Sequence, residues 1–109
     1  MTENFSANEF ACKCGCGYNV IEPVLVNRLQ VIRDILQVPI TVTSACRCTR
    51  HNANVGGSPN SLHIQGLAID FTCSKMEEAA RLCDNWSGGY KWYADRHFIH
   101  VDLGYRRRW

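Results

Sequence analysis

The chain lacks any apolar run long enough to cross a bilayer, so insertion into a membrane is not expected. It also lacks a strong charge of either sign: twelve Lys and Arg stand against ten Asp and Glu, a net +2. The one dense basic run, Arg106-Arg107-Arg108, has no basic face to accompany it and reads as a solvated or salt-bridged tail, so no nucleic-acid partner is expected. Internal repeats, low-complexity tracts and breaks in composition are missing too, and residues 1–109 read as a single domain with its site inside one fold. The polar start Met1-Thr2-Glu3-Asn4 is not a secretory signal, so a chain that is cytoplasmic at synthesis is expected, and a monomer is the expected state.

Cysteine, by contrast, is plentiful. Seven is an odd number, so at least one cannot pair within the chain. Three alternate in Cys12-Lys13-Cys14-Gly15-Cys16-Gly17, two in Cys46-Arg47-Cys48, and Cys73 and Cys83 flank a helical stretch. Without an export signal, reduced thiols or a metal cluster are favoured over disulfides. A structural zinc held by the N-terminal cysteines and Cys48, with or without His51, is one reading, although C-x-C is not the usual C-x2-C spacing; free, partly buried thiols are the other.

The periodicities outline the elements. Ser6 can cap a short segment over Phe5 to Phe10, and the glycine-rich run from Cys12 to Gly17 must turn. Pro23 suits a helix start, and Leu25, Leu29, Ile32 and Leu36 then form a stripe at helical spacing that faces a core. The β-branched Ile40-Thr41-Val42-Thr43 predicts a strand. Arg50 to Ser61 is so rich in turn formers that a loop is predicted rather than helix or strand. Leu67 to Phe71 reads as a strand with Asp70 near its end, Met76 to Cys83 as a short helix, and Gly88-Gly89 as a turn. Phe98 to Asp102 is the last predicted strand, with Phe98, His100 and Asp102 on one face and Ile99 and Val101 on the other.

The chemistry concentrates in two places. His63 and Asp70 stand seven apart in Ser61-Leu62-His63-Ile64-Gln65-Gly66-Leu67-Ala68-Ile69-Asp70, and His97-Phe98-Ile99-His100 follows about thirty residues on. A histidine, an aspartate and a distant third nitrogen suit a catalytic zinc, which takes three protein ligands and keeps its fourth position for water. Hydrolysis is the chemistry this implies. A serine or cysteine hydrolase is disfavoured, because no Ser or Cys is offered a base and an oxyanion-hole motif.

Together these residues resemble the zinc D-Ala-D-Ala carboxypeptidase family (peptidase M15), in its short stand-alone type common in phages and prophages. The likeness rests first on the pattern S-x-H-x-x-G-x-A-x-D, met by Ser61, His63, Gly66, Ala68 and Asp70. Ser44-Ala45-Cys46-Arg47 is similar to the family's S-G-Y-R segment, and His51-Asn52 with Val55-Gly56-Gly57 to its H-N-x-x-V-G-G loop. Phe98-Ile99-His100-Val101-Asp102, the terminal Arg108-Trp109 and the cysteine-bearing opening also look like the family's.

The resemblance implies Zn2+ held by His63, Asp70 and His100, with Arg47 binding substrate through paired hydrogen bonds to a carboxylate or carbonyl and Ser61 supporting that contact or orienting His63. One branch of the family carries a glutamate base three residues before the last zinc histidine; here that position is His97, a proton carrier when neutral. Strict alternation puts His97 on the face away from His100, so it serves only if the turn swings its ring back. Asp95 is the fallback base, and Asp102 a partner that orients His100. The implied substrate is a peptidoglycan stem peptide cut beside a D-residue, by a D,D-carboxypeptidase or an L,D- or D,D-endopeptidase such as an endolysin, acting on the cell wall. The rival is a non-catalytic zinc-containing wall-binding or phage structural protein, motivated by His97 in place of glutamate. A hedgehog-type signalling domain with a similar zinc arrangement fits less well. The expected fold is α+β of the LAS/hedgehog type: two or three helices packed on one side of a small, mostly antiparallel sheet.

Overall fold

The computed structural model describes residues 2–109. Its elements are a 3-10 helix at Ala7–Phe10, helix α1 at Pro23–Leu36, strand β1 at Ile40–Ser44, helix α2 at Thr49–Asn54, a second 3-10 helix at Leu62–Gln65, strand β2 at Ala68–Cys73, helix α3 at Met76–Cys83, and strands β3 at Gly89–Tyr93, β4 at Phe98–Asp102 and β5 at Arg107–Arg108. The five strands form one sheet in the order β1-β2-β4-β3-β5, antiparallel except for the parallel pairing of β5 with β3. This is the expected α+β class, with a mixed sheet.

Helix α1 starts where Pro23 supplies a preset φ and buries the predicted stripe together with Val26. It ends at Gln37, which takes the left-handed conformation that glycine usually supplies and returns its N–H to the Arg33 carbonyl. Helix α3 opens on Glu77 and Glu78 and buries Met76, Ala79, Ala80 and Cys83. Between these helices and the sheet lies the core, to which the strands contribute Ile40, Val42, Ile69, Phe71, Ile99 and Val101. Alternation then fixes the opposite face. Asp70 pairs with His100 across β2 and β4, and an irregularity between Val42 and Ser44 brings Ser44 opposite Asp70. The chemistry-bearing residues thus stand on the face turned away from the core.

Three expectations are corrected. Thr49–Asn54 is helical, not loop: the Cys48 side chain accepts the His51 N–H as a cap, and Asn52 aims its amide outside the helix instead of competing with it. Asp70 sits mid-strand, because β2 runs on to Cys73. Gly89 begins a strand that the sequence reading missed, since Gly88-Gly89 masked the β-favouring Tyr90, Trp92 and Tyr93 behind it. No helix among the described residues is long and apolar enough to cross a membrane.

Gly66 joins the second 3-10 helix to β2 at φ +71°, and a Cβ there would collide with the backbone carbonyl of Val20, which cannot swing aside. Its own carbonyl accepts the Glu22 N–H at 2.9 Å. Gly66→Ala is expected to cost roughly 2 kcal/mol or more in urea denaturation, from left-handed strain plus the clash.

Candidate metal centre

His63 is carried by the 3-10 turn that follows the polar loop. Ser61 accepts the His63 N–H on its Oγ at 3.2 Å, the Arg47 N–H binds the His63 carbonyl at 3.0 Å, and Tyr18 donates its hydroxyl to the Ile64 carbonyl at 2.6 Å. The turn is therefore held from both sides. On the His63 ring, Nδ1 lies 2.6 Å from the Ala45 carbonyl, which can only accept, so Nδ1 carries the proton and Nε2 presents its lone pair. That Nε2 is 3.3 Å from Asp70 Oδ1.

His100 is arranged in the mirror sense. Its Nε2 lies 2.8 Å from Asp102 Oδ2 and its Nδ1 2.8 Å from Asp70 Oδ1. With Nε2 donating to Asp102, Nδ1 faces the same point as His63 Nε2. One ligand atom from each of His63, Asp70 and His100 lies within 4.8 Å of the others. Two imidazole lone pairs and one carboxylate, each imidazole fixed by an acceptor on its far nitrogen, are a donor set that fits a divalent metal ion with room for a further ligand.

Asp102 is completely buried and its carboxylate is saturated: it accepts from His100, from the N–H groups of Gly89 and Gly104 at 2.9 and 3.0 Å, and from Arg107 at 2.8 Å. Trp86 Nε1 donates to its main-chain carbonyl at 2.8 Å. Burial raises the carboxyl pKa, but these donors outweigh it and hold Asp102 well below the usual range. For Asp70 the same contest between burial and the hydrogen bonds from His100 and His63 ends at about 2. His100 runs the other way: burial lowers its pKa, Asp102 and Asp70 raise it, and the net shift is upward.

These shifts set the pH response of the metal-free protein. The contribution of Asp70, about 2 kcal/mol for a fall from 3.8 to about 2, is present above pH 4 and is lost as pH drops toward 2. The contribution of His100 is full below its ordinary 6.5 and is lost as pH rises through its raised value. Thermal melts of the metal-free protein should therefore be highest between about pH 4 and 7 and fall on both sides.

Arg47 lies beside the cluster, with Nη2 3.6 Å from Asp70 Oδ2. Its Nε donates to Ser44 Oγ at 3.0 Å and its Nη1 to Asn52 Oδ1 at 3.2 Å, while Asn52 Nδ2 donates to the Ser58 carbonyl at 2.8 Å. Asn52 is almost fully buried and fixes the guanidinium; the sequence reading noted it only within the H-N pair. Arg47, Ser61, His63, Asp70 and His100 all line one cleft of about 420 Å³. Trp109 borders it too, with its ring edge-on to His100 at 5.4 Å and its Nε1 donating to the Tyr93 hydroxyl at 2.9 Å.

The two candidate bases are placed differently. Asp95 and His97 are exposed in the turn between β3 and β4, His97 at φ 59°, and neither borders the cleft, although Arg96 and Phe98 do. Two of the C-terminal arginines are held rather than loose: Arg107 is salt-bridged to Asp102, and Arg108 donates to the carbonyls of Trp86 and Gly88.

The family model described as Peptidase M15 matches residues 3–102. A Haemophilus influenzae protein named probable peptidoglycan L,D-endopeptidase MepK is 35% identical over 72 residues, which is 62% of this chain and 38% of that protein. The chain thus spans well under half the length of this relative.

Proposed function

This chain belongs to the Peptidase M15 family, and from that premise we propose that it is a zinc-dependent peptidase that hydrolyses a D-residue-containing bond of the peptidoglycan stem peptide. The observation that carries this reading is the convergence of His63 Nε2 and His100 Nδ1 on Asp70 Oδ1, at 3.3 and 2.8 Å, in a cleft that also presents Arg47. His63, Asp70 and His100 would hold the zinc, which when bound supplies Lewis acidity that lowers the pKa of water toward about 7 and polarises an amide carbonyl. Arg47, steadied by Ser44 and Asn52, anchors a substrate carboxylate or carbonyl oxygen, and Ser61 holds the turn that orients His63. His97 takes the proton from the attacking water and returns it to the leaving amine, with Asp95 the alternative; either requires the β3–β4 turn to move toward the cleft as substrate binds. The placement of the ligands on β2, β4 and the turn before them supports assignment to the LAS/hedgehog-type fold.

The relative's name makes an L,D-endopeptidase cut the first to test, ahead of D,D-carboxypeptidase and D,D-endopeptidase activity. Digesting purified peptidoglycan and defined muropeptides, followed by mass spectrometry, separates them: release of free D-alanine marks a carboxypeptidase, and fragments cut within the stem or cross-link mark an endopeptidase. No product from any wall type would overturn the reading.

Arg47→Ala is expected to raise KM by about 10- to 100-fold, the worth of a charge-assisted hydrogen-bonded pair, with bound zinc unchanged. Steady-state kinetics with parallel metal analysis checks both halves. One observation favours a second reading, a non-catalytic wall-binding protein: Asp95 and His97 both stand outside the cleft. If neither His97→Ala nor Asp95→Ala alters the rate or its pH profile, the proton-transfer assignment falls.

A further inference from the structure

We propose that Cys12, Cys14, Cys16 and Cys48 form a second metal site, a structural zinc centre distinct from the histidine cluster. The sulfurs of these four residues lie within 4.8 Å of one another, with Cys12 and Cys14 at 3.5 Å and Cys14 and Cys48 at 3.8 Å. Four thiolates tetrahedral about one ion at about 2.3 Å sit about 3.8 Å apart, close to the 3.5 and 3.8 Å of the two shorter pairs here. Spacing in sequence does not announce this, because alternate residues of an extended chain share one face but stand about 6.6 Å apart, too far for their sulfurs to meet on one ion. The chain instead folds back on itself: Gly15, at φ +80°, returns its N–H to the Cys12 carbonyl at 3.3 Å, and the Cys12 N–H binds the Tyr18 carbonyl at 2.8 Å. Nothing lies within 4 Å of a Cβ built at Gly15, so its backbone conformation rather than crowding calls for glycine.

Two further contacts mark the sulfurs as acceptors. The Cys48 N–H points at Cys12 Sγ and the His51 N–H at Cys48 Sγ, both at 3.4 Å. Such donors support the negative charge of metal-bound thiolates, much as outer hydrogen bonds support other ligands. The four sulfurs close the set without His51. Cys12 is buried and Cys48 half-buried while Cys14 and Cys16 are exposed, which leaves an entry path for the ion. The other three cysteines, Cys46, Cys73 and Cys83, are buried and stand outside this set, Cys46 donating to the Tyr18 carbonyl at 3.2 Å, so the odd count resolves into four ligands and three structural thiols.

The site would clip the beginning of the chain to the segment that carries Arg47. Cys48 is 36 residues from Cys12, and the neighbouring Cys46 N–H binds the Phe10 carbonyl at 3.3 Å. Arg47 thus lies between a metal ligand and a residue paired with the N-terminal segment. A cross-link closing a loop of this length stabilises the fold by restricting the unfolded chain.

The test is metal stoichiometry of protein purified under reducing conditions with zinc supplied. Wild type should hold two zinc ions per chain, Cys14→Ser/Cys16→Ser one, and His63→Ala one. A mercurial thiol reagent should release one equivalent from wild type and from His63→Ala. In wild type loaded with cobalt, a near-ultraviolet thiolate-to-cobalt charge-transfer band is expected whatever happens at the histidine site, so this reading and the peptidase reading fail separately. If the cysteine variant does not fold, the cobalt spectrum of wild type decides. A zinc content unchanged by Cys14→Ser/Cys16→Ser, cobalt loading without a thiolate band, or recovery of these four cysteines as disulfides would overturn the proposal.

Discussion

Replacing Asp70 with alanine is expected to remove metal binding in the cleft and to lower peptidase turnover by about a thousandfold or more, since a bound ion would supply several kcal/mol of transition-state stabilisation. Asp70 is the one anion at the meeting point of His63, His100 and Arg47, at 3.3, 2.8 and 3.6 Å, and only about a tenth of its side chain is exposed. Without it, the two imidazole lone pairs and the guanidinium meet with no anion between them, since the Asp102 carboxylate is taken up by His100 and Arg107, and a cation has little reason to enter. Asp70→Asn keeps the volume and removes the charge, which separates the two causes. If charge matters most, the asparagine variant should lose zinc nearly as completely as the alanine variant in chelator competition. Full turnover in either variant would remove Asp70 from the chemistry.

The second large effect concerns Asp102, whose side chain is completely buried. His100 Nε2, Arg107 and the N–H groups of Gly89 and Gly104 all end on its carboxylate, so Asp102→Ala leaves four donors without their acceptor. Breaking a buried pair costs about 3–5 kcal/mol, and because Arg107 is a third exposed and water can replace part of its contact, the lower end is expected. Loss of the acceptor also frees the His100 ring to rotate and to change tautomer, which should weaken zinc binding by about 10- to 100-fold. Denaturant melts of the metal-free protein measure the first effect and chelator titration the second. Asp102→Asn should keep part of the stability and little of the zinc affinity, because its amide can no longer hold His100 and Arg107 together. A variant as stable as wild type would show that the network is incidental.

Elements built from local periodicity were legible in the sequence. The stripe from Leu25 to Leu36, the alternation in Phe98 to Asp102 and the short helix at Met76 are all found where patterning put them. The His63, Asp70 and His100 cluster was anticipated by motif resemblance, and the fold brings the three side chains together. What escaped the reading depends on contacts that periodicity does not encode. Asn52 looks like a turn former until Arg47 and Ser58 claim its amide. The His63 tautomer is set by the Ala45 backbone carbonyl, which has no side-chain signature. Asp102 could be placed on the His100 face by alternation, but its closure by Arg107 and by the Gly89 N–H requires β3 and β5, one masked by glycines and the other only two residues long. For the cysteines the sequence left a zinc site and free thiols both open, because convergence of the sulfurs depends on a fold-back at Gly15 that spacing does not encode.

The most direct measurement is zinc per chain together with stem-peptide release from purified peptidoglycan, for wild type and for His63→Ala. The expected result is the loss of one zinc and of all release in the variant, while any zinc bound by the cysteines is retained. Stem-peptide release by His63→Ala at the wild-type rate, or wild type with no zinc outside the cysteine site, would contradict a metallopeptidase centre built on His63, Asp70 and His100.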